Sequence, residues 1–453
     1  MRNSDYTLLI VESSTLARQL QKLLPQNIYV IATDGYLWTP SFRSDKLRLG
    51  KKAAPEKTDI RKELLEESMK AVRIIIATDS DPAGDFIAWT LSKHLKQSAL
   101  LRGNLQAISI DAATQLIHNT ESIDDSNLYK RLENRFIIRE LWSREYPGLD
   151  MTTAGATSLF GSPVKFRHFK SEKGDIYRTL KPVLSKYGTS IEHFQRVDET
   201  IYETVSALST YCVLEQMSSA VDVLNFSDLQ NRLNKLFVTS HPHTGEGLIT
   251  YPRTDARSFF KRSWDDIRSQ WIQRESLGNF IPPALQHCEP QGSAHDSIRP
   301  TDLKNDPEYI RKHIPEELAS IYSVIYSQTL RAISMPMPAH SALKSNTIDA
   351  VFVSSVETEL NRLRLQPVLT LSSFGHLLNG LGVIRPSRFG SYIDQARQEN
   401  LIDISADQTV HPGKSLLEHM PNAEKYSTIL YRLKAEADKP DMKPETITEI
   451  LTS

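Results

Sequence analysis

The segment Gly247-Leu-Ile-Thr-Tyr-Pro-Arg-Thr-Asp-Ala256 places a tyrosine at the end of a short apolar run and an arginine two residues later. If the run is a β-strand that ends at Pro252, side chains two residues apart share a face, so Tyr251 and Arg253 point the same way. A phenol beside a guanidinium is suited to attack on a phosphodiester, because the arginine can hold the phosphate oxygens. A phenol with a pKa of about 10 is neutral at pH 7, so this chemistry predicts cationic neighbours. The alternative is an ordinary strand-end tyrosine.

Composition limits the classes of protein to which the chain can belong. Its 453 residues, 40% of them hydrophobic, are sufficient for about two to four domains. The net charge of -1 excludes a bulk polycation, so nucleic-acid binding would depend on local basic clusters such as 43–62 and 165–173, which solvated surface also explains. Two cysteines exclude a disulfide scaffold and a four-cysteine zinc ribbon. Without a long apolar run or a signal-peptide profile, we expect a soluble cytoplasmic protein.

Two strand-then-helix units near the N-terminus indicate an α/β domain. Apolar runs at 6–11 and 72–78 are each followed by acidic residues and then by a helical pattern. Such units predict a doubly wound parallel sheet, in which functional sites gather beyond the carboxyl ends of the strands. Glu12, Asp79 and Asp81 should therefore meet at one edge of the sheet.

Carboxylates that meet at one edge repel one another unless they protonate or bind a cation. A ligand set made only of oxygens favours Mg²⁺, so the sequence predicts a magnesium site here. The alternative is that the strand-end aspartates cap the next helix, which applies above all to Asp81.

A third informative segment is Gly292-Ser-Ala-His-Asp-Ser-Ile-Arg-Pro-Thr-Asp302. His295 and Arg299 lie four residues apart and can contact one phosphate, and a histidine can donate or relay a proton near neutrality. A structural histidine is the alternative reading.

Taken in their order along the chain, these segments resemble the motifs of type IA DNA topoisomerases. The opening segment is similar to their active-site segment, and 292–302 is similar to the motif that lies beside the tyrosine. Residues 11–18 and 77–89 resemble two motifs of the Toprim domain, while 371–393 resembles the closing element with its Gly-x-x-Arg-Pro-Ser motif.

The resemblance implies a toroidal fold that is α/β in the Toprim domain and mainly helical elsewhere, with helical DNA-binding domains and a reduced β arch. The implied boundaries are 1–125 for the Toprim domain, 126–180 and 365–453 for the DNA-binding base, 181–206 and 340–364 for the arch, and 207–339 for the tyrosine domain.

The resemblance also implies the roles of individual residues. Tyr251 would form a 5′-phosphotyrosine, Arg253 and His295 would steady the phosphate, and Glu12 would move the proton. Mg²⁺, the implied cofactor, would be held by carboxylates of the Toprim motifs, namely Glu12, Asp79, Asp81 and Asp85. The residues implied to contact DNA are Arg299, Arg385, Ser387, Arg388, Lys165 and Arg167.

Some positions depart from the family's pattern. The segment Asp79-Ser-Asp-Pro-Ala-Gly-Asp85 lacks the arginine and glutamate of the usual motif, and Ala156 stands where relatives carry a strand-gripping arginine. A helix start rich in Gly, Thr and Ser near Thr153 can still offer backbone N–H groups to a phosphate.

The implied activity is that of a monomeric, ATP-independent isomerase that relaxes or decatenates DNA. Its substrate would be single-stranded or underwound DNA, with RNA also possible and no membrane partner. The alternative is a catalytically impaired or cleavage-only DNA-binding protein or nickase, which Pro82, Ala83, Ala156 and the short arch favour.

Overall fold

The computed structural model describes a defined set of residues: 6–95, 100–161, 168–170, 194–196, 202–203, 207–220, 225–275, 295–333, 337–338, 342–345, 366–439 and 441–453. Two predicted DNA contacts, Lys165 and Arg167, lie outside the described residues. So does most of the predicted arch, at 181–206 and 340–364.

The N-terminal part contains a five-stranded sheet in the order β2-β1-β5-β6-β7 and a separate β3–β4 hairpin. The strands are β1 (Thr7–Val11), β2 (Ile28–Ala32), β3 (Trp38–Arg43), β4 (Arg48–Ala53), β5 (Arg73–Ile76), β6 (Leu100–Arg102) and β7 (Glu121–Ser122). Apart from β7, the strands of the larger sheet are parallel. Leu8 and Ile10 face one apolar core, and Leu9 and Val11 face another. The predicted Toprim-type parallel sheet is confirmed.

Helices cover both faces of this sheet. They are α1 (Ser14–Leu23), α2 (Thr58–Lys70), α3 (Pro82–Ser92) and α4 (Ile110–His118), with a 3₁₀ turn at Pro55–Lys57. Strands β1 and β5 are neighbours, and the segments that follow them lead directly into α1 and α3. Glu12 and the Asp79–Asp81 segment consequently lie at the same edge of the sheet.

The rest of the described chain is mostly helical, as predicted. The helices are α5 (Asp125–Glu145), α6 (Met151–Gly161), α7 (Thr210–Ala220), α8 (Phe226–Phe237), α9 (Lys261–Glu275), α10 (Pro307–Arg311), α11 (Glu316–Ile333), α12 (Leu371–Gly380), α13 (Phe389–Gln398), α14 (Lys414–Leu417), α15 (Ala423–Ala437) and α16 (Pro444–Thr452), with 3₁₀ turns at Pro386–Arg388 and Met420–Asn422. One apolar core runs from the sheet into these helices, from Leu9 to Leu451. In the part of the chain that the structure describes, no helix combines the length and the apolar character needed to cross a bilayer.

Short strands form small sheets outside the N-terminal domain. They are β8 (His168–Lys170), β9 (Phe194–Arg196), β10 (Tyr202–Glu203), β11 (Met337–Pro338), β12 (Ala342–Ser345), β13 (Gln366–Val368), β14 (Ile402–Ile404) and β15 (Val410–Pro412). An antiparallel sheet in the order β13-β8-β12-β9 joins both parts of the predicted arch. It also includes 168–170 and 366–368, which the sequence prediction had placed in the base.

The tyrosine segment is not the continuous strand that its apolar run predicted. Gly247, Ile249 and Thr250 form isolated bridges, and Thr250 pairs with Ala107 in the loop after β6. The backbone N–H of Tyr251 donates to the carbonyl of Gln106 at 2.8 Å. The segment is therefore held against the sheet edge where the acidic residues gather.

Candidate active site

The side chains of Tyr251 and Arg253 converge on one carboxylate oxygen. Tyr251 Oη donates to Asp79 Oδ2 at 2.6 Å, and Arg253 Nη1 donates to the same atom at 3.0 Å. The prediction that the two side chains point the same way is confirmed. Tyr251 is only 7% exposed, so its hydroxyl is held in a largely dry site.

The sequence predicted that cations would activate the phenol of Tyr251, but burial and the charge of Asp79 act against its ionisation. Burial raises the pKa of Tyr251 well above its usual value, the Asp79 charge raises it further, and Arg253 partly opposes both. Burial also raises the pKa of Asp79, although Arg253 and the bond from Tyr251 oppose that shift. Tyr251 is therefore a neutral phenol whose proton already points at a basic oxygen, and Asp79 is placed to accept it.

Glu12 is a second site acid whose pKa is strongly raised. Burial, followed by the charges of Asp79 and Asp81, raises the pKa of Glu12 to about 8. Its Oε1 atom is buried and makes no hydrogen bond within the described residues. At pH 7 the side chain is mostly a neutral carboxylic acid, which can donate a proton.

This displaced pKa predicts a pH-dependent stability. Between pH 4.5 and about 8 the folded chain keeps the Glu12 proton that the unfolded chain has lost, so stability falls as pH rises through that window. Glu12→Gln removes this loss. We therefore expect the free energy of unfolding of the variant, relative to wild type, to rise by about 1–3 kcal/mol from acid to alkaline pH. Urea unfolding at a series of pH values measures it. The exposed Glu418→Gln control keeps Glu12, so its difference in stability from wild type should not change with pH. The same pH-dependent gain over wild type in both variants would contradict the assignment.

Asp81 caps helix α3, as the alternative reading of this residue predicted. Its Oδ1 accepts from the backbone N–H groups of Ala83 at 2.9 Å and Gly84 at 3.0 Å. A Cβ atom at Gly84 would lie 2.1 Å from the backbone oxygen of Asp79. The glycine therefore lets the start of α3 pack directly against the loop that positions Asp79.

Gly84→Ala is expected to distort that loop, because the methyl group would meet backbone atoms that cannot rotate away. We expect a loss of about 1–3 kcal/mol in the free energy of unfolding, measured by urea denaturation. Gly380→Ala is the matched control, since a Cβ there meets nothing within 4 Å. Equal stability of the two variants would show that the Asp79 loop yields easily.

Arg102 is a site residue that the sequence analysis missed. Its Nη1 donates to the carbonyl of Thr78 at 2.8 Å, its Nη2 donates to the carbonyl of Asp79 at 3.0 Å, and Nη2 lies 3.5 Å from Asp85 Oδ1. Burial lowers the pKa of Arg102, while Asp85, Glu12 and Asp79 oppose that shift. Its position at the end of β6, next to β5, could have indicated a site residue, but a strand of three residues is too short to be recognised from periodicity in the sequence.

The predicted metal ligands are close to one another without forming a ligand group. In the described residues, no three His, Cys, Asp or Glu side chains are arranged so that they could hold a metal ion. Arg253 occupies Asp79 Oδ2, and Arg102 neutralises Asp85. The oxygen-only donor set and the unpartnered Glu12 Oε1 still suit a hard cation such as Mg²⁺ in chemical character.

His295 and Arg299, predicted from one motif, have different surroundings. The His295 ring lies over the ring of Tyr251, with centroids 4.1 Å apart, and its buried Nδ1 has no hydrogen-bond partner within the described residues. Burial and then Arg102 lower the pKa of His295 to about 3, so the imidazole is neutral at pH 7. Arg299 is 12% exposed and pairs with Asp296 at 3.2 Å, which indicates a structural role for this predicted DNA contact.

The start of helix α6 does not offer free N–H groups to a phosphate. Asp150 Oδ1 accepts from the backbone N–H groups of Thr152 at 2.8 Å and Thr153 at 2.9 Å. Burial alone would raise the pKa of Asp150, but hydrogen bonds from both threonines outweigh it and lower the pKa. Ala156 is itself fully buried. A carboxylate thus occupies the anion position that the sequence had suggested for a phosphate.

A cavity of about 510 Å³ opens beside these residues. Its lining includes two predicted DNA contacts, Arg385 and Ser387, together with Arg253 and His295. Other basic lining residues, which the sequence analysis did not single out, are Arg131, Arg135 and Lys434. Asp81, Asp85 and a set of guanidinium groups therefore share one solvent-accessible space, and the lining residues Arg253 and His295 contact Asp79 and Tyr251, respectively.

Comparison with known proteins connects this geometry to a family. The Toprim domain family matches residues 7–110. The DNA topoisomerase 1 of Helicobacter pylori is 23% identical over 392 residues, covering 71% of this chain and 51% of the relative. That of Aquifex aeolicus is 25% identical over 390 residues, covering 73% of this chain and 67% of the relative. The chain therefore spans about half to two thirds of the length of these relatives.

A solved structure shows the same fold over nearly the whole chain. Full-length topoisomerase I from Thermotoga maritima aligns with a TM-score of 0.64 at 16% identity, covering 98% of this chain and 89% of that one. The chain thus contains a Toprim domain, is similar in sequence to bacterial proteins named DNA topoisomerase 1, and shares the fold of full-length topoisomerase I from Thermotoga maritima.

Proposed function

We propose that the chain cuts one strand of single-stranded or underwound DNA through a 5′-phosphotyrosine at Tyr251, passes a strand through the break and reseals it. The observation that carries the proposal is the shared hydrogen bond of Tyr251 and Arg253 to Asp79. It places a nucleophile, a proton acceptor and a cation for the phosphate within one cluster.

The cutting step follows from the protonation states of these groups. The oxygen of Tyr251 forms a bond to phosphorus while its proton passes to Asp79 Oδ2, and the bond from phosphorus to the 3′ oxygen breaks. Glu12, protonated at neutral pH, gives its proton to that leaving oxygen. Arg253 donates to the phosphate oxygens, where negative charge grows in the transition state.

Resealing reverses these transfers. The 3′ hydroxyl attacks the phosphotyrosine and gives its proton to the Glu12 carboxylate, while Tyr251 leaves and recovers a proton from Asp79. Glu12, Asp79 and Asp81 would hold Mg²⁺, which would supply positive charge that keeps the two ends aligned.

Negatively supercoiled plasmid tests the proposal directly. The protein is incubated with plasmid and Mg²⁺, the reaction is stopped with denaturant, and topoisomers and protein–DNA adducts are separated. Relaxed topoisomers together with protein linked to a 5′ end are the expected result. Unchanged plasmid with no adduct, in a preparation that still binds single strands, would refute the enzymatic proposal.

A cleavage-only nickase is the second candidate, and one observation favours it. The acids in the described residues do not form a metal-binding group, and resealing is the step that would depend on such a group. Open circles that accumulate with protein on their 5′ ends, without relaxed topoisomers at any Mg²⁺ concentration, would support this candidate over the first.

A further inference from the structure

Helix α6 is closed to a DNA strand in this chain. Asp150 occupies its N-terminus, and the residues from Thr153 to Leu159 are all buried. A Cβ at Gly155 would lie 2.8 Å from Val383 Cγ2, so this glycine permits close packing of protein against protein. A strand that enters the cavity must be held by other side chains.

Helix α5 carries a row of three arginines, two of which line the same space. Arg131, Arg135 and Arg139 are each four residues apart, so they lie along one side of the helix at intervals of about 6 Å. Arg131 and Arg135 line the cavity together with Arg385. These arginines form no ion pair within the part of the chain that the structure describes.

The arginines of α5 are close enough to Arg385 and Arg388 to repel them. After burial, Arg385 is the largest cause that lowers the pKa of Arg135, to about 10. Burial, then Arg388 and Arg385, lower the pKa of Arg139. Asp438 and Asp85, which also line the cavity, offset part of this repulsion at Arg135. A polyanion laid between the like-charged arginines would relieve the rest.

We infer that Arg131, Arg135 and Arg139 are a phosphate-binding row that grips consecutive phosphates of a single nucleic-acid strand, opposite Arg385 and Arg388. The row would take the place of a phosphate contact at the start of α6, which Asp150 occupies. This inference rests on the proposed function, because the row leads the strand to Tyr251. Contacts to phosphate carry no sequence information, so the grip is independent of base sequence.

Equilibrium binding to labelled oligo(dT) and oligo(U) tests the inference. Every protein carries Tyr251→Phe, so that no covalent adduct forms and binding is measured even if the proposed chemistry is wrong. Each lost contact to a single strand should reduce the slope of log affinity against log salt by about 0.7, so Arg135→Gln/Arg139→Gln should reduce it by about 1.4. Affinity at moderate salt should fall by about 10- to 100-fold.

Charge-matched variants make the result specific. Arg144→Gln removes an arginine from another side of α5, where it pairs with Glu140, and should leave the slope unchanged. Arg135→Lys/Arg139→Lys should keep the wild-type slope. Arg139→Gln alone, at an exposed position, guards against a folding defect in the double variant. The inference would be overturned if Arg135→Gln/Arg139→Gln and Arg139→Gln both kept the wild-type salt slope, or if Arg144→Gln lost as much slope as they do. Binding to a duplex competitor but not to single strands would also overturn it. If the variants lost affinity for only one of the two oligomers, the row would not bind through phosphate contacts alone.

Discussion

Tyr251→Phe is expected to abolish the covalent protein–DNA adduct and all change in plasmid linking number, while binding to single strands stays within about twofold of wild type. The variant lacks the only atom that attacks phosphorus in the proposed reaction, and water at the same position is a far weaker and less well-placed nucleophile. The measurement compares adduct and topoisomers of the two proteins under denaturing conditions. The oxygen lost is the one that donates to Asp79 at 2.6 Å.

Tyr129→Phe is a matched control for this variant. Tyr129, on α5, also donates its hydroxyl to a carboxylate, that of Glu133, and to the carbonyl of Leu49 in β4, but it does not line the cavity. Both variants lose a phenol oxygen that donates to a carboxylate, so both should lose similar stability. If Tyr251→Phe still forms an adduct, or if Tyr129→Phe loses it as well, Tyr251 is not the specific nucleophile.

Sequence patterns were sufficient to predict the fold of the N-terminal domain and which side chains converge at the site. Two strand-then-helix units correctly predicted that Glu12 and Asp79 meet at one edge, because the carboxyl ends of parallel strands share an edge whatever the rest of the chain does. Spacing also correctly predicted that Tyr251 and Arg253 converge. The type of fold followed from the order of the motifs.

The partners of these residues could not be read from the sequence. That Tyr251 would bond to Asp79 depends on the docking of 247–251 against the loop after β6, a contact between segments that are far apart in the chain. Arg102 ends a strand that is too short to show periodicity, and Asp150 precedes α6 at a position where any capping residue would look the same. The arginines of α5 belong to a helix that is rich in charged residues, so in the sequence they look like solvated surface residues. Their proximity to Arg385 distinguishes them, and it is seen only in the structure.

Asp79→Asn is expected to reduce the rate of cutting by about 10²- to 10⁴-fold, the usual contribution of a positioned proton acceptor. The amide oxygen of asparagine can still accept the bonds that Tyr251 and Arg253 now make to Asp79 Oδ2, so the arrangement of the site should survive. An amide cannot take up the phenolic proton, however. The rate of adduct formation on a labelled oligonucleotide without Mg²⁺ isolates this step from any role of Asp79 in metal binding.

The same substitution should leave the fold intact, which separates a chemical loss from a structural one. Burial raises the pKa of Asp79, so the folded state bears the cost of a desolvated charge that asparagine removes, and the lost attraction to Arg253 offsets part of that gain. We expect the free energy of unfolding to change by no more than about 1 kcal/mol. Glu133→Gln removes another carboxylate that accepts a hydrogen bond from a tyrosine, and this variant should cut at the wild-type rate. A wild-type cutting rate in Asp79→Asn would mean that the Tyr251 proton leaves by another route, with Asp79 serving only to hold the phenol in place.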